Sequence, residues 1–273
     1  MNWGIIGTGN MGKVLIHALI EGGVTEPRQL FIHNRTLSKA FDVKQDYPDI
    51  NVCPTPEKTV KFSDIIFICV KPLDVFPLIK RIQPELNQEH CVISITSPIS
   101  VQQLEEYLPC QTARIIPSIT NRGLFGVTLL SFGEQIDSNL KEYLIQSCKL
   151  FSSPIIIDDE ITRVSSDIIS CGPAFFSYLI QRMIQAACEE TDIEYDNAVE
   201  LAEKMIVGFG KLIEKGYYSF ENLEKKVTVK GGVTGAGIEV LEREVGDMFH
   251  KLFRATHNKY YDDQKKIMEQ LST

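Results

Sequence analysis

Short apolar runs alternate with helical segments along the first 160 residues of the chain. The runs are rich in Ile, Val, Leu and Phe and occupy residues 5–6, 30–33, 65–70, 91–95, 113–116, 127–132 and 154–157. This alternation predicts a mostly parallel sheet with helices on both faces. The runs at 65–70 and 91–95 are apolar on both faces, as strands inside a parallel sheet must be.

The pattern changes after Asp158, where the strand-like runs give way to a period of 3.6 residues. Helices are predicted over residues 174–189, 196–216 and 245–271, with Asp196 as the N-cap of the second. Their apolar stripes are wide for a small helical domain. We therefore expect a second subunit to cover them, with a self-sufficient helical bundle as the alternative. The predicted domains are residues 1–160 and an all-α dimerisation domain, residues 161–273, that forms a homodimer or higher homo-oligomer.

Three glycines follow the first apolar run in the spacing G-x-G-x-x-G. The segment consists of Gly7, Thr8, Gly9, Asn10, Met11 and Gly12. Between a strand and a helix, the first glycine permits a tight turn, the second admits a pyrophosphate, and the third lets the helix pack closely. The phosphates bind at the helix N-terminus. The segment thus predicts a doubly wound Rossmann domain that binds a dinucleotide, and a close-packed structural turn is the alternative.

Two short segments, each with one basic residue, lie at the carboxyl ends of predicted strands, where open α/β sheets bind ligands. Asn34, Arg35 and Thr36 follow the second run, and Val70, Lys71 and Pro72 end the third. NAD sites place an acidic residue after the second strand, whereas this chain has an arginine that suits a 2′-phosphate. The expected cofactor is therefore NADPH in preference to NADH.

A second glycine-rich segment, residues 228–237, lies in the predicted helical domain. Adjacent glycines before a helix expose several backbone N–H donors, which suits a carboxylate. The hydroxyl of Thr234 lies beside them. The alternative is a plain glycine-rich turn between two helices.

Composition narrows the class of protein. The net charge of −8 without a basic patch argues against nucleic-acid and anionic-membrane partners. No run is long enough for a membrane helix and no secretory signal is visible, so a cytoplasmic location is expected. The seven cysteines are scattered singly and the five histidines lack partners at ligand spacing, so we expect reduced thiols and no metal site.

Taken in order, these segments resemble the pyrroline-5-carboxylate reductase family over essentially the whole chain. The matching segments are residues 7–12, 70–72, 114–117, 172–175 and 231–234. The resemblance implies hydride transfer from NAD(P)H to the imine carbon of 1-pyrroline-5-carboxylate, giving L-proline, or to a related cyclic imino acid. It also implies the substrate-binding residues, which are Lys230, Gly231, Gly232, Val233 and Thr234. Thr234 would be the catalytic group, with its hydroxyl bonded to the ring nitrogen.

The segments expected to bind substrate depart from the family pattern more than the segments expected to bind the cofactor. The family's T-S-P-G-G-T-T is here T-V-K-G-G-V-T at residues 228–234, its M-P-N-T-P is I-P-S-I-T at residues 116–120, and its A-A-G is T-S-P at residues 96–98. In this asymmetry the chain resembles a reductase-like group of proteins that is linked to competence in spore-forming bacteria. A regulatory protein that binds NADPH with little or no catalysis is therefore a second hypothesis. A β-hydroxyacid dehydrogenase is disfavoured, because residues 162–179 contain no lysine.

Overall fold

The computed structural model describes residues 1–272, which form one eight-stranded sheet and twelve α-helices. The strands are β1 (Trp3–Ile6), β2 (Leu30–His33), β3 (Asn51–Val52), β4 (Ile65–Ile68), β5 (Cys91–Ser94), β6 (Gln111–Ile116), β7 (Val127–Phe132) and β8 (Ser153–Ile156). The helices are α1 (Asn10–Glu21), α2 (Leu37–Asp46), α3 (Pro56–Lys61), α4 (Pro72–Ile82), α5 (Val101–Tyr107), α6 (Ser138–Lys149), α7 (Thr162–Ser166), α8 (Gly172–Glu190), α9 (Tyr195–Glu214), α10 (Phe220–Val227), α11 (Val233–Val245) and α12 (Met248–Leu271).

The sheet has the strand order β3-β2-β1-β4-β5-β6-β7-β8. Neighbouring strands are parallel except for β6 and β7, which are antiparallel. Because β1 lies between β2 and β4, the strand order reverses beside it, and a crevice for ligands opens at the carboxyl ends there. The predicted class is confirmed: a mostly parallel doubly wound sheet is followed by an all-helical C-terminal region.

Alternate side chains of β1 enter two separate cores, one on each face of the sheet. Ile5 packs in the core that contains Leu15 and Leu19 of α1, whereas Ile6 packs in the core that contains Val75 and Ile79 of α4. This alternation follows from the two-residue period of a strand. Helices therefore cover both faces, and the carboxyl edge of the sheet stays available to a ligand.

Packing divides the chain into two compact units. The first comprises residues 1–173 together with the last part of α12 from Ala255, and the second comprises residues 174–254. Ile267 of α12 is fully buried in the same core as Ile6. The predicted domain boundary at residues 160/161 stays a prediction, because the two units describe which residues pack together and do not define domains.

The helices of the second unit expose many large apolar side chains in the single chain. They include Phe176, Met183, Leu201, Met205, Val207, Phe220, Val233 and Leu241. No helix within residues 1–272 combines the length and apolar character that crossing a membrane requires.

Two details of the predicted helices are wrong. Glu194, not Asp196, is the N-cap of α9, and Asp196 lies in the first turn, where its charge still favours the helix N-terminus. The helix predicted from residue 245 begins at Met248. Gly246, with φ of 43° and ψ of −120°, separates it from α11.

Candidate functional site

The three glycines of the turn between β1 and α1 have different surroundings. Gly7 has φ of +109°, and a Cβ there would lie 2.4 Å from the carbonyl oxygen of Cys69. A Cβ on Gly12 would lie 2.0 Å from the carbonyl oxygen of Gly7. A Cβ on Gly9 would meet no atom within 4 Å. The protein's own packing therefore requires Gly7 and Gly12, whereas Gly9 leaves open space at the N-terminus of α1, where a pyrophosphate would bind.

A cleft of about 510 Å³ opens beside this turn. Its walls include Gly7, Gly9, His33, Asn34, Arg35, Thr36, Lys39, Val70 and Lys71. Arg35, Lys39 and Lys71 are exposed, and none has an ion-pair partner within the described residues. Unpaired positive charge beside the turn suits a phosphorylated dinucleotide such as NADP.

Asn34 joins the end of β2 to the glycine turn. Its Oδ1 accepts a hydrogen bond from the backbone N–H of Thr8 at 3.0 Å, and its Nδ2 donates to the carbonyl oxygen of Thr36 at 2.9 Å. Thr8 is fully buried, and its hydroxyl oxygen has no hydrogen-bond partner in the part of the chain that the structure describes. Asn34 thus shapes the wall of the cleft, and Thr8 leaves a polar atom at the turn without a protein partner.

The remaining cofactor residues of the sequence motifs lie at two helix N-termini. Asn10 and Met11 begin α1, Lys71 is the N-cap of α4, and Pro72 is its first residue. All the predicted cofactor residues therefore belong to the first unit, at the carboxyl edge of the sheet.

Arg114 positions the loop that follows β5. It is only 2% exposed, and it bonds Asp159, the hydroxyls of Thr162 at 2.6 Å and Ser131 at 3.1 Å, and the carbonyl oxygen of Ile99 at 3.2 Å. Burial lowers the pKa of Arg114, and Asp159 opposes that shift. This side chain joins β6 to β7, to the loop after β5 and to α7.

A second cavity, of about 550 Å³, lies in the first unit on the other side of the loop between β4 and α4. It is lined by Pro72, Thr96, Ser97, Pro98, Arg163, Asp167, Cys171, Ala255, Thr256, Lys259, Tyr260 and Asp263. A π-helical turn, Asp167–Cys171, forms part of its wall, and such turns are frequent at functional sites. Burial raises the pKa of the Cys171 thiol, so this group is not activated as a nucleophile.

The second cavity contains polar residues that the sequence analysis did not select. Arg163 and Asp167, and likewise Lys259 and Asp263, are four residues apart, which marks them as pairs on helices. That spacing is the only local signal, and it is common on solvated helix faces. The sequence could not show that α12 returns to the sheet.

The predicted substrate residues form one turn in the second unit. Residues 228–232 connect α10 to α11, with Gly231 at φ +73° and Gly232 as the N-cap of α11, and Val233 and Thr234 are the first two residues of α11. A Cβ on Gly232 would lie 2.7 Å from Cγ2 of Val229. The first N–H groups of α11 have no intrahelical partners, and Thr234 is exposed beside them. The predicted site residues thus fall into two groups, one in each unit.

Known proteins match both regions of the chain. Residues 159–262 match the family described as Pyrroline-5-carboxylate reductase dimerisation, and residues 2–98 match NADP oxidoreductase coenzyme F420-dependent. The chain is 50% identical over 270 residues to ComE operon protein 4 of Bacillus subtilis (strain 168), with 99% of each chain covered. It is 28% identical to Pyrroline-5-carboxylate reductase 3 of the same organism over 94% of each chain. The crystal structure of Plasmodium falciparum pyrroline carboxylate reductase with NADP bound shares the fold, with a TM-score of 0.84 at 19% identity and 98% of each chain covered.

These matches extend over nearly the full chain and confirm the resemblance inferred from the ordered motifs. The relative at 50% identity also confirms the similarity to the competence-linked group. The chain therefore belongs to the pyrroline-5-carboxylate reductase family of NAD(P)-dependent oxidoreductases, in the branch that includes ComE operon protein 4.

Proposed function

We propose that this protein is an NADPH-dependent reductase of 1-pyrroline-5-carboxylate, forming L-proline, or of a related cyclic imino acid. The observation that carries the proposal is the open space at Gly9, next to the unpaired cations Arg35, Lys39 and Lys71. The nicotinamide supplies the hydride when bound, and the protein binds and orients the reactants. The protein acts as a homodimer or larger homo-oligomer through its helical domain.

In this proposal, the turn from Lys230 to Thr234 binds the substrate. Free N–H groups at the N-terminus of α11 hold the carboxylate, and the Thr234 hydroxyl bonds the ring nitrogen. A protonated imine is already electrophilic, so orientation contributes more than acid catalysis. Thr234→Val should therefore lower turnover more than it lowers NADPH affinity. Equal losses in both, measured by steady-state kinetics and by titration, would contradict the role of Thr234.

The direct test measures NADPH consumption against a panel of cyclic imino acids, beside binding titrations with NADPH and NADH. The proposal predicts oxidation of NADPH that depends on the imino acid, and tighter binding of NADPH than of NADH. Tight cofactor binding without oxidation by any member of the panel would overturn the reductase assignment.

A second candidate is a regulatory protein that binds NADPH without significant catalysis. Two observations favour it: valines at 229 and 233 replace hydroxyl residues in the substrate turn, and the relative at 50% identity carries a competence-operon name. Expression in a bacterium that lacks its own pyrroline-5-carboxylate reductase separates the two candidates. Growth without added proline supports the reductase, and failure to grow despite normal expression supports the regulatory protein.

A further inference from the structure

The loop between β5 and α5 borders the second cavity and carries Ser97 at its centre. Thr96 is anchored at the start of the loop, because its backbone N–H donates to the Ser94 hydroxyl at 3.2 Å and the two hydroxyls lie 3.0 Å apart. Pro98 has a fixed φ, and it restricts the residue before it to extended conformations. The loop therefore has little conformational freedom around Ser97.

Two arginines hold the two oxygens of Ser97. Nη1 of Arg163 donates to the Ser97 hydroxyl at 3.0 Å, and Nη1 of Arg114 donates to the Ser97 carbonyl oxygen at 3.4 Å. The same Arg114 nitrogen donates to the carbonyl oxygen of Ile99 at 3.2 Å. Arg114 belongs to β6 and Arg163 belongs to α7. Two elements outside the loop thus set the position of Ser97.

Each of these arginines is itself fixed by a carboxylate. Arg114 pairs with Asp159, and Nη2 of Arg163 lies 2.8 Å from Oδ1 of Asp167. The Asp167 side chain is fully buried, and its other oxygen accepts a hydrogen bond from the Thr256 hydroxyl at 2.7 Å. Buried ion pairs add little net stability, because the loss of hydration offsets the attraction between the charges. The arrangement therefore points to a geometric role in the loop rather than to stability alone.

This loop lies where the reactive half of the cofactor would end. β4 and β5 are parallel neighbours, so their carboxyl ends share one edge of the sheet. In doubly wound sheets, the adenosine ribose lies at the end of the second strand and the pyrophosphate lies at the glycine turn. The nicotinamide half then extends away from β2, past the ends of β4 and β5. A fixed wall at Ser97 would set the distance and angle at which the ring meets its hydride acceptor, and the rate depends steeply on both.

We propose that Arg163 is a positioning residue for hydride transfer, which acts through the Ser97 hydroxyl and fixes the loop after β5 beside the nicotinamide ring. The inference rests on the proposed function for the identity of the reaction. It goes further by assigning a role to a residue outside the motifs that bind cofactor and substrate. Asp167 serves Arg163, because it holds the guanidinium in the orientation that reaches Ser97.

Ser97→Ala tests this contact with the smallest change. It removes the hydroxyl and leaves Arg163 paired with Asp167, so the variant should fold, which thermal melts check. In the reduction of 1-pyrroline-5-carboxylate, kcat should fall about tenfold, the value of a charge-assisted hydrogen bond, whereas the NADPH dissociation constant should stay within about twofold. Arg163→Lys should give a similar loss, because an ammonium that stays on Asp167 cannot also reach the hydroxyl. Ser138→Ala, at an exposed serine of α6, is the matched control and should keep the native kcat.

The double variant and amide hydrogen exchange show whether the two residues act through one contact. Ser97→Ala combined with Arg163→Lys should lose no more activity than the larger of the two single losses, because both changes remove the same hydrogen bond. The amides of residues 97, 99 and 100 should exchange at least about tenfold faster in either single variant, whereas those of β5 should exchange at the native rate.

Native kcat in folded Ser97→Ala would overturn the inference, as would losses that multiply in the double variant or that fall equally on kcat and NADPH affinity. In each of these cases the reductase itself would stand. If the native chain reduces no imine, the proposed function falls, and the exchange rates decide the inference. Faster exchange in the loop then keeps Arg163 as the residue that fixes it, and native exchange rates overturn that role.

Discussion

Gly7, Gly9 and Gly12 share one sequence motif, yet a methyl group would meet protein atoms at only two of them. Backbone oxygens lie 2.4 Å and 2.0 Å from the Cβ positions of Gly7 and Gly12, and Gly9 has open space. Gly9 has φ of −74°, a conformation that alanine adopts without strain. The stability and the cofactor affinity of the protein can therefore be separated by single substitutions in one loop.

We predict that Gly9→Ala folds normally and loses NADPH affinity by at least about tenfold, because its methyl group occupies the space for the pyrophosphate. Gly12→Ala should instead lower the free energy of unfolding by about 1–3 kcal/mol through overpacking. Thermal melts and a fluorescence titration with NADPH distinguish the two effects. Native affinity in Gly9→Ala would show that the dinucleotide does not bind at this turn.

Substitution of Arg35 tests whether the protein prefers NADPH to NADH. Arg35→Ala should weaken NADPH by about tenfold, the value of a charge-assisted hydrogen bond, and leave NADH affinity nearly unchanged. Arg28→Ala, at another exposed arginine, is the control. If Arg35→Ala weakens both cofactors equally, then Arg35 does not contact the 2′-phosphate.

Residue-scale prediction from the sequence succeeds where a role is local. The glycine spacing can be read from six consecutive residues, because the turn, the strand and the helix are neighbours in the chain. Arg163 and Lys259 line one cavity only because of the tertiary fold, which no local pattern predicts. Arg114 was noticed as a family match, but its contact with Asp159 spans 45 residues and has no local signature.

A polar cluster joins three elements on one side of the sheet. His17 of α1 contacts the Tyr47 hydroxyl at 2.8 Å, and that hydroxyl donates to Glu21 at 2.8 Å. Arg122, in the segment after β6, donates to the other oxygen of Glu21 at 2.6 Å. Burial lowers the pKa of His17, and burial with the Glu21 hydrogen bond raises the pKa of Tyr47 to about 12. The folded protein therefore keeps both groups neutral near pH 7.

This cluster predicts a loss of stability as the pH falls. His17 has an ordinary pKa of 6.5 and a lower one in the folded chain, so the unfolded chain binds the proton first. The contribution is fully present above pH 6.5 and is lost as the pH falls through the folded pKa. His17→Gln should flatten the dependence of unfolding free energy on pH in this range, whereas His250→Gln, at an exposed histidine of α12, should not. Identical pH profiles for the native chain and His17→Gln would contradict the assignment.

Helix α9 presents an apolar face that its own chain leaves exposed. Leu201 is 61% exposed and Met205 is 49% exposed. Large exposed apolar patches on helices mark protein interfaces, and the matched family is described as a dimerisation family. A second copy of the chain is the occupant that we expect.

Leu201→Lys should therefore shift the protein toward monomer, with at least about a tenfold weaker association constant, because a charge replaces buried apolar area. Glu203→Lys changes charge on the same helix and serves as the control. Sedimentation velocity over a range of protein concentrations measures both. A native chain that is monomeric at every concentration would rule out this interface.

At the scale of the whole molecule, the sequence predicted the class of fold better than it predicted how the strands pair and where the last helix packs. The inner strands β4 and β5 could be recognised because fully buried strands are apolar on both faces. The antiparallel pairing of β6 with β7 could not, because it depends on the path of the connecting segment. The return of α12 to the first unit was also missed, since Ile267 and Leu271 fit the stripe of any amphipathic helix. The departures from the family pattern in residues 228–234 were visible at once, but their chemical consequence depends on groups elsewhere in the fold.

The proposed reaction is the transfer of a hydride from NADPH to a carbon–nitrogen double bond. The most direct measurement uses NADPH deuterated at C4 of the nicotinamide, on each face in turn, with 1-pyrroline-5-carboxylate, and determines deuterium in the isolated product by mass spectrometry. We expect L-proline that carries one deuterium at the former imine carbon, from one of the two labelled cofactors. Unlabelled L-proline from both cofactors, or none at all from protein shown to bind NADPH, would contradict it.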